Sequence, residues 1–207
     1  MFPRARMLTG FLLANAAIVI VAAIVLLNRP ATPPQIQGVL LSQARPLPDF
    51  QLTDHHNQVF ANRALKGRWH LVSYGFTTCP DICPTTLATL NAMYEDLGDS
   101  EKENLQIVMV SLDPERDTVE KMALYVPYFN EDFIGVTGNP YAILGLSTQL
   151  TIAYTKVDLG DGNYTVDHST QVVLINPKGH YHGFFKAPHG EVAMRQTWRS
   201  IKDTFAR

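Results

Sequence analysis

"WHLVSYGFTTCPDICPTTLATLNAMYEDLG" (residues 69–98) runs from an apolar, β-prone stretch straight into a turn rich in Cys and Pro, then into a helix-period pattern. Residues 69–76 have the length and composition of a buried strand. Pro84 fits the first turn of a helix, where its missing N–H costs nothing. Behind it Leu87, Leu90, Met93 or Tyr94, and Leu97 fall on one stripe, with Gly98 placed to close the helix. The expectation is a strand, a tight turn and an amphipathic helix, with both cysteines of the chain at the junction.

The same alternation continues on both sides. "LQIVMVSL" (105–112) reads as a second buried strand. "DTVEKMALYVPYF" (117–129) reads as a helix with Val119, Met122, Val126 and Phe129 inward, kinked or ended by Pro127. "FIGVTG" (133–138) predicts a short strand, and Asn139-Pro140 opens a short helix. "IAYTKVDLGDGNYTVDH" (152–168) gives strand, Gly-rich turn, strand. "STQVVLINPKGHYHGFF" (169–185) reads as a hairpin around Asn176-Pro177-Lys178-Gly179. The last stretch, 190–205, is an amphipathic helix carrying Val192, Trp198, Ile201 and Phe205. On the N-terminal side, "PLPDFQLTDHHNQVFANRALKG" (46–67) predicts a hairpin with a polar turn. Strands alternating with helices, then an antiparallel hairpin, define an α/β class: a mixed sheet flanked by helices.

The first thirty residues are different in kind. Residues 11–27, "FLLANAAIVIVAAIVLL", carry no charge; counted from Met7 the stretch is about as long as a bilayer core requires. Arg4 and Arg6 precede it, which keeps the N-terminus cytoplasmic and sends the rest across. The run is longer than a signal-peptide core and no small-x-small cleavage site follows, so it reads as an uncleaved anchor. The expected organisation is an N-terminal membrane anchor and single transmembrane helix over 1–28, an extended Pro-rich linker over 29–45, and one domain over 46–207. A net charge of −2 with 17% charged residues offers no polybasic field for nucleic acid.

Cys79 and Cys83 are separated by three residues, one more than the Cys-x-x-Cys redox spacing. On a helical turn, i and i+4 share a face, so the two sulfurs converge. Thiolates at a helix start are stabilised as anions, and the thiolate is both nucleophile and metal ligand. A structural disulfide closing so small a loop would add little stability. Two sulfurs suit a soft ion such as Cu(I), which then needs a third ligand, best supplied by a His. Among the seven histidines, His55 and His56 fall in a predicted solvated turn and His70 inside a strand. His180 and His182 alternate in a hairpin, and His189 sits at the start of the last helix. His168, in "TVDHST" beside a Gly-rich turn, is a ligand candidate, with an ordinary loop role still open.

The residues in question resemble the Sco/SenC family of copper chaperones. The likeness runs through "PDFQLTDHHNQ", "LKGRWHLVSYGFTTCPDICPTTL", "VMVSLDPERDT", "YVPYFNEDFIGVTG" and "YTVDHSTQVVLINPKG", in the family's order and over nearly the whole domain. The resemblance implies a thioredoxin-like fold behind an N-terminal membrane anchor. It also implies one copper ion held by Cys79, Cys83 and His168, with a Cys79–Cys83 disulfide as the metal-free oxidised state. Asp81, Pro80 and Pro84 would shape the loop, and Asp113 reads as a supporting element. The implied task is delivery of copper, Cu(I) or Cu(II), to the CuA centre of cytochrome c oxidase subunit II. That places the domain on the periplasmic side of the inner membrane, with another copper chaperone or a thiol reductant as further partner. Two alternatives stay open: a thiol–disulfide oxidoreductase that reduces the target's cysteines, and a copper-dependent redox sensor. Where many relatives read "HCPDVCP", Thr78 precedes Cys79 here. "DHSTQVV" supplies a histidine and no proline where thioredoxin-type reductases have one, which favours metal over disulfide exchange.

Overall fold

The computed structural model describes residues 37–205 together with Leu13 and residues 15–23. Ten strands are ordered along the chain: β1 (Gly38–Pro46), β2 (Gln51–Asp54), β3 (Val59–Ala61), β4 (Trp69–Gly75), β5 (Leu105–Ser111), β6 (Ile134–Thr137), β7 (Tyr154–Gly160), β8 (Asn163–His168), β9 (Val172–Ile175) and β10 (His180–Phe185). The helices are α1 (Ile82–Glu95), α2 (Asp99–Glu103), α3 (Val119–Phe129), α4 (Pro140–Gln149) and α5 (Glu191–Phe205). Eight strands form one sheet in the order β1-β10-β9-β4-β5-β6-β2-β3, and β7 pairs with β8 as a separate ribbon. β4, β5 and β6 are mutually parallel, and the strands flanking them are antiparallel.

β4 and β5 are buried along their whole length because helices cover both faces of the sheet. On one face Leu71, Ile107 and Met109 pack with Leu87 and Leu90 of α1, Met122 and Val126 of α3, and Trp198 and Ile201 of α5. On the other, Val72, Tyr74, Val108 and Val110 pack with Ile143 and Leu146 of α4 and with Val166 of β8. This is the mixed, helix-flanked sheet that the alternating pattern predicts. The α1 stripe is buried at each expected position, Leu87, Leu90, Met93, Tyr94 and Leu97.

Four local expectations need correction. The segment read as a linker over 29–45 is a strand from Gly38 onward: β1 pairs antiparallel with β10, which gives its backbone groups partners. Gly98 does not close α1, which ends at Glu95; it lies at φ −72° as the residue before α2. Pro127 does not end α3, which continues to Phe129, and Val119 and Phe129 are only half-buried. In α5, Val192 and Phe205 are exposed, and Met194 and Thr197 take inward positions instead. The expected membrane anchor over 1–28 lies mostly outside the described residues; Leu13 and 15–23 are helical and exposed. Among the described residues no helix is long and apolar enough to cross a membrane.

The predicted solvated turn at His55 is also corrected. His55 is buried, its Nδ1 accepts the Gly135 N–H at 2.8 Å and its own N–H donates to the Gly135 carbonyl. His70 is buried within β4, as its place in a strand implied, and burial with the nearby Arg68 charge lowers its pKa to about 4. Because the folded pKa lies below the unfolded value, the folded chain binds fewer protons between the two. Stability is therefore lost as pH falls from about 6.5 toward 4, by up to about 3 kcal/mol. Denaturant unfolding across that range should show the loss, and His70→Leu should flatten it; an equally steep decline in the variant would exclude His70 as its source.

Candidate metal centre

β4 ends at Gly75, and the chain then crosses the end of the sheet through Phe76 and Thr77 before α1 begins at Ile82. Asp117 fixes this crossing. Its carboxylate is fully buried and accepts the Thr77 N–H (2.9 Å), the Thr77 hydroxyl (2.6 Å) and the Ser111 hydroxyl (2.7 Å). The loop that follows places Cys79 half-exposed and Cys83 buried, both as free thiols. The Cys83 N–H, at the start of α1, donates to Cys79 Sγ at 3.5 Å; Cys79 itself lies in the loop before the helix.

His168 arrives from the other side. It is the last residue of β8, paired with Tyr154, and Ser169 beyond it is held by Ala153 through two hydrogen bonds of 2.9 and 3.1 Å. The histidine is thus fixed at a strand end; the glycines of the ribbon, Gly160 and Gly162, are at its far tip. His168 Nε2 lies 3.6 Å from Cys83 Sγ, and Nδ1 lies 2.9 Å from the Ser169 carbonyl. A carbonyl only accepts, so Nδ1 carries a proton, and in the neutral ring Nε2 then turns its lone pair toward Cys83 Sγ. The far-side bond is the usual device for orienting an imidazole ligand.

The ribbon that carries His168 is held to the body by residues the sequence reading did not single out, apart from Asp113. Arg116 pairs with the buried Asp113, donates to the Tyr164 carbonyl at 2.9 Å and stacks 3.8 Å over the Tyr164 ring. The Tyr164 hydroxyl returns to Asp113 at 2.7 Å. Gly75 was also missed. A Cβ there would stand 2.7 Å from Cys83 Sγ, so glycine is what lets the sulfur lie against β4. A glycine at the end of an otherwise bulky strand was the available signal.

Cys79 and His168 open on a cleft of about 480 Å³, walled by Phe76, Pro80, Ile82, Val157 and Val166 and edged by Asp81 and Asp167. Burial pushes the Cys83 thiol pKa up, with the adjacent Cys79 adding to the effect. This reverses, for Cys83, the helix-start argument for an acidic thiol: desolvation outweighs the amide dipoles. The donor set of two sulfurs and one oriented imidazole nitrogen fits a soft, low-charge ion. Among the described residues, no three His, Cys, Asp or Glu groups close into a cage as the side chains stand. Of the remaining histidines, none joins this cluster: His182 receives Asn176 Nδ2 at 3.2 Å and stacks on Trp69, and His189 reaches the Thr170 carbonyl.

Fold and site together define a thioredoxin-like domain with one thiol and an imidazole on a cleft and a second, buried thiol behind them. The chain belongs to the SCO1/SenC family, whose profile matches residues 40–203. A relative from Stutzerimonas stutzeri that is named for copper binding is 38% identical over 162 residues, covering 78% of this chain and 79% of its own. The copper-bound crystal structure of Arabidopsis thaliana ScoI is similar at 32% identity and a TM-score of 0.68, over 75% of this chain and 98% of that one. Copper-bound Bradyrhizobium japonicum ScoI gives 29% identity and 0.69, over 77% and 99%.

Gly75→Ala should force Cys83 away from β4, with a loss of about 1–3 kcal/mol by the overpacking rule. Urea unfolding of the metal-free protein measures it; an unchanged midpoint would mean that the Cys83 side chain has room the geometry denies.

Proposed function

We propose that this chain is a membrane-tethered copper chaperone, its anchor spanning the inner membrane over 1–28 and its domain on the periplasmic side. Copper is its cargo, held by Cys79, Cys83 and His168, and its target is the CuA centre of cytochrome c oxidase subunit II. The observation that carries this reading is the approach of His168 Nε2 to Cys83 Sγ at 3.6 Å, beside Cys79 and with Nδ1 tied back. Two thiolates leave a Cu(I) core with one net negative charge and a Cu(II) core neutral. The imidazole adds the harder donor that Cu(II) favours. Cys79, on the cleft, is the sulfur best placed for entry and release by ligand exchange; Cys83 is the buried anchor.

One observation favours a second reading, a thiol–disulfide oxidoreductase acting on the target's cysteines. Cys79 is half-exposed, accepts a helix-start N–H and stands one turn from a second free thiol, the layout of an attacking and a resolving cysteine. Two experiments separate the readings. In purified protein His168→Ala should retain Cu(I) within about tenfold while losing Cu(II) by 100-fold or more, as expected when one of few ligands is removed. An unchanged Cu(II) affinity and spectrum would remove His168 from the site. In cells, added copper should restore oxidase activity to the His168 variant but not to Cys79→Ser or Cys83→Ser; full activity of the His168 variant without added copper would favour the reductase.

A further inference from the structure

Phe76 stands between the cysteine loop and the ribbon, and it touches both. It follows β4 directly and is 2% exposed. Its carbonyl accepts the Cys79 N–H at 3.1 Å, which ties down the loop that carries the sulfurs. Its ring meets the His168 imidazole nearly at right angles, 82°, with centroids 6.3 Å apart. That separation is within the range over which aromatic rings attract edge to face. The Arg116 guanidinium lies over the same ring at 5.8 Å, and Arg116 also donates to the Tyr164 carbonyl of the ribbon. The Phe76 backbone is held on both sides, by β4 before it and by the bonds from Thr77 to Asp117 after it.

His168 is tied through Nδ1 to the carbonyl of its own chain neighbour, Ser169. That bond fixes one ring atom, and the plane of the ring needs a second contact. Among the described residues, Phe76 is the aromatic ring packed against it. We propose that Phe76 is a positioning residue of the copper site: its ring sets the plane of His168 while its carbonyl sets Cys79. Imidazole and sulfur are then presented in one geometry by a residue that touches no metal. This rests on the copper reading above. The consequence is selective, because the harder Cu(II) draws more on the imidazole than Cu(I) does. Loss of the ring weakens Cu(II) and leaves Cu(I), held by the sulfurs, nearly as it was.

The test is Phe76→Leu in the full chain purified in detergent, alone and combined with His168→Ala, with Phe60→Leu as control. Phe60 is buried too, at 7% exposure, and lies on β3, an edge strand of the sheet. The Phe76 carbonyl survives every substitution, so the ring alone is tested. Three quantities are read: affinity for Cu(II) and Cu(I) ions, the His168 ring-proton resonances without metal, and metal-free thermal unfolding. Phe76→Leu should weaken Cu(II) about tenfold, the low end for a lost support of a ligand, and Cu(I) by less than about threefold. It should also shift the His168 resonances, which lie beside the ring. In the His168→Ala background it should weaken Cu(II) no further, since residues that act through one another are not additive. Phe60→Leu should lower the unfolding temperature without moving the resonances or the Cu(II) affinity. An equal Cu(II) loss with and without His168 would overturn the inference and leave the copper reading intact. So would unchanged affinity and resonances in Phe76→Leu, or the same Cu(II) loss in Phe60→Leu. Phe76→Met, which also removes the ring at similar volume, stands in should Phe76→Leu fail to fold. Failure of both would make Phe76 a core residue and overturn the inference. If His168→Ala alone leaves Cu(II) affinity unchanged, His168 is no ligand, and the inference falls with that assignment.

Discussion

Asp117 holds a carboxylate out of water with no basic group paired to it among the described residues, and the site is built on the groups that satisfy it. Its two oxygens take the Thr77 amide, the Thr77 hydroxyl and the Ser111 hydroxyl, while its carbonyl takes the Thr137 hydroxyl. Those partners sit at or just past the ends of β4, β5 and β6, so one residue links the C-terminal ends of all three parallel strands. A buried charge is tolerated only when hydrogen-bonded, and here the start of α3 just beyond adds a favourable dipole. The loop carrying the cysteines leaves directly from Thr77. Its geometry is therefore inherited from a buried network rather than from its own short sequence. The crevice beyond the C-terminal ends of parallel strands is where open α/β sheets bind ligands, and this cleft is there.

A second buried carboxylate does the same for His168. Asp113 holds Arg116 and Tyr164, and through them the β7–β8 ribbon that ends in His168. Asp113 and Asp117 both lie on the short connection between β5 and α3. One connection thus positions the sulfurs with one carboxylate and the imidazole with the other. Residues 85 positions apart in the chain meet at 3.6 Å because both are referred to that common support. Both oxygens of Asp117 are bonded, the condition under which a buried polar group rigidifies a fold, whereas in the second network Arg116 Nη2 is buried without a hydrogen-bond partner among the described residues.

The period of apolar residues made most of the sheet and the helices legible, since β4, β5 and α1 are buried on the faces their patterns predict. The pattern failed where partners, not periodicity, decide the state. Residues 38–46 look like linker because their strand is an edge held by β10, and His55 looks solvated because the glycine that receives it lies on a distant strand. The cysteine pair was legible from spacing alone. His168 was only a candidate until the resemblance singled it out, because nothing local ties it to the cysteines. Arg116, Tyr164 and Gly75 are ordinary residue types whose roles come from tertiary contact; of these only Gly75, in a strand of large side chains, carried a local hint.

The burial of Cys83 also bears on which chemistry the cleft suits. A thiol whose ionisation is opposed by desolvation is a poor resident nucleophile, because little of it is thiolate near neutrality. The same desolvation ceases to be a penalty when a cation replaces the proton, since the sulfur's charge is then neutralised at bonding distance instead of by water. On the reading proposed above, a bound ion would take the place of the proton on a sulfur whose ionisation burial opposes. Cys79 is nearer solvent and lines the cleft. Gly75 sets this division by letting Cys83 lie flat on β4, out of the cleft mouth. On that same proposal, the asymmetry between a buried sulfur and an open one would give the carrier one ligand to keep the ion and one to hand it on.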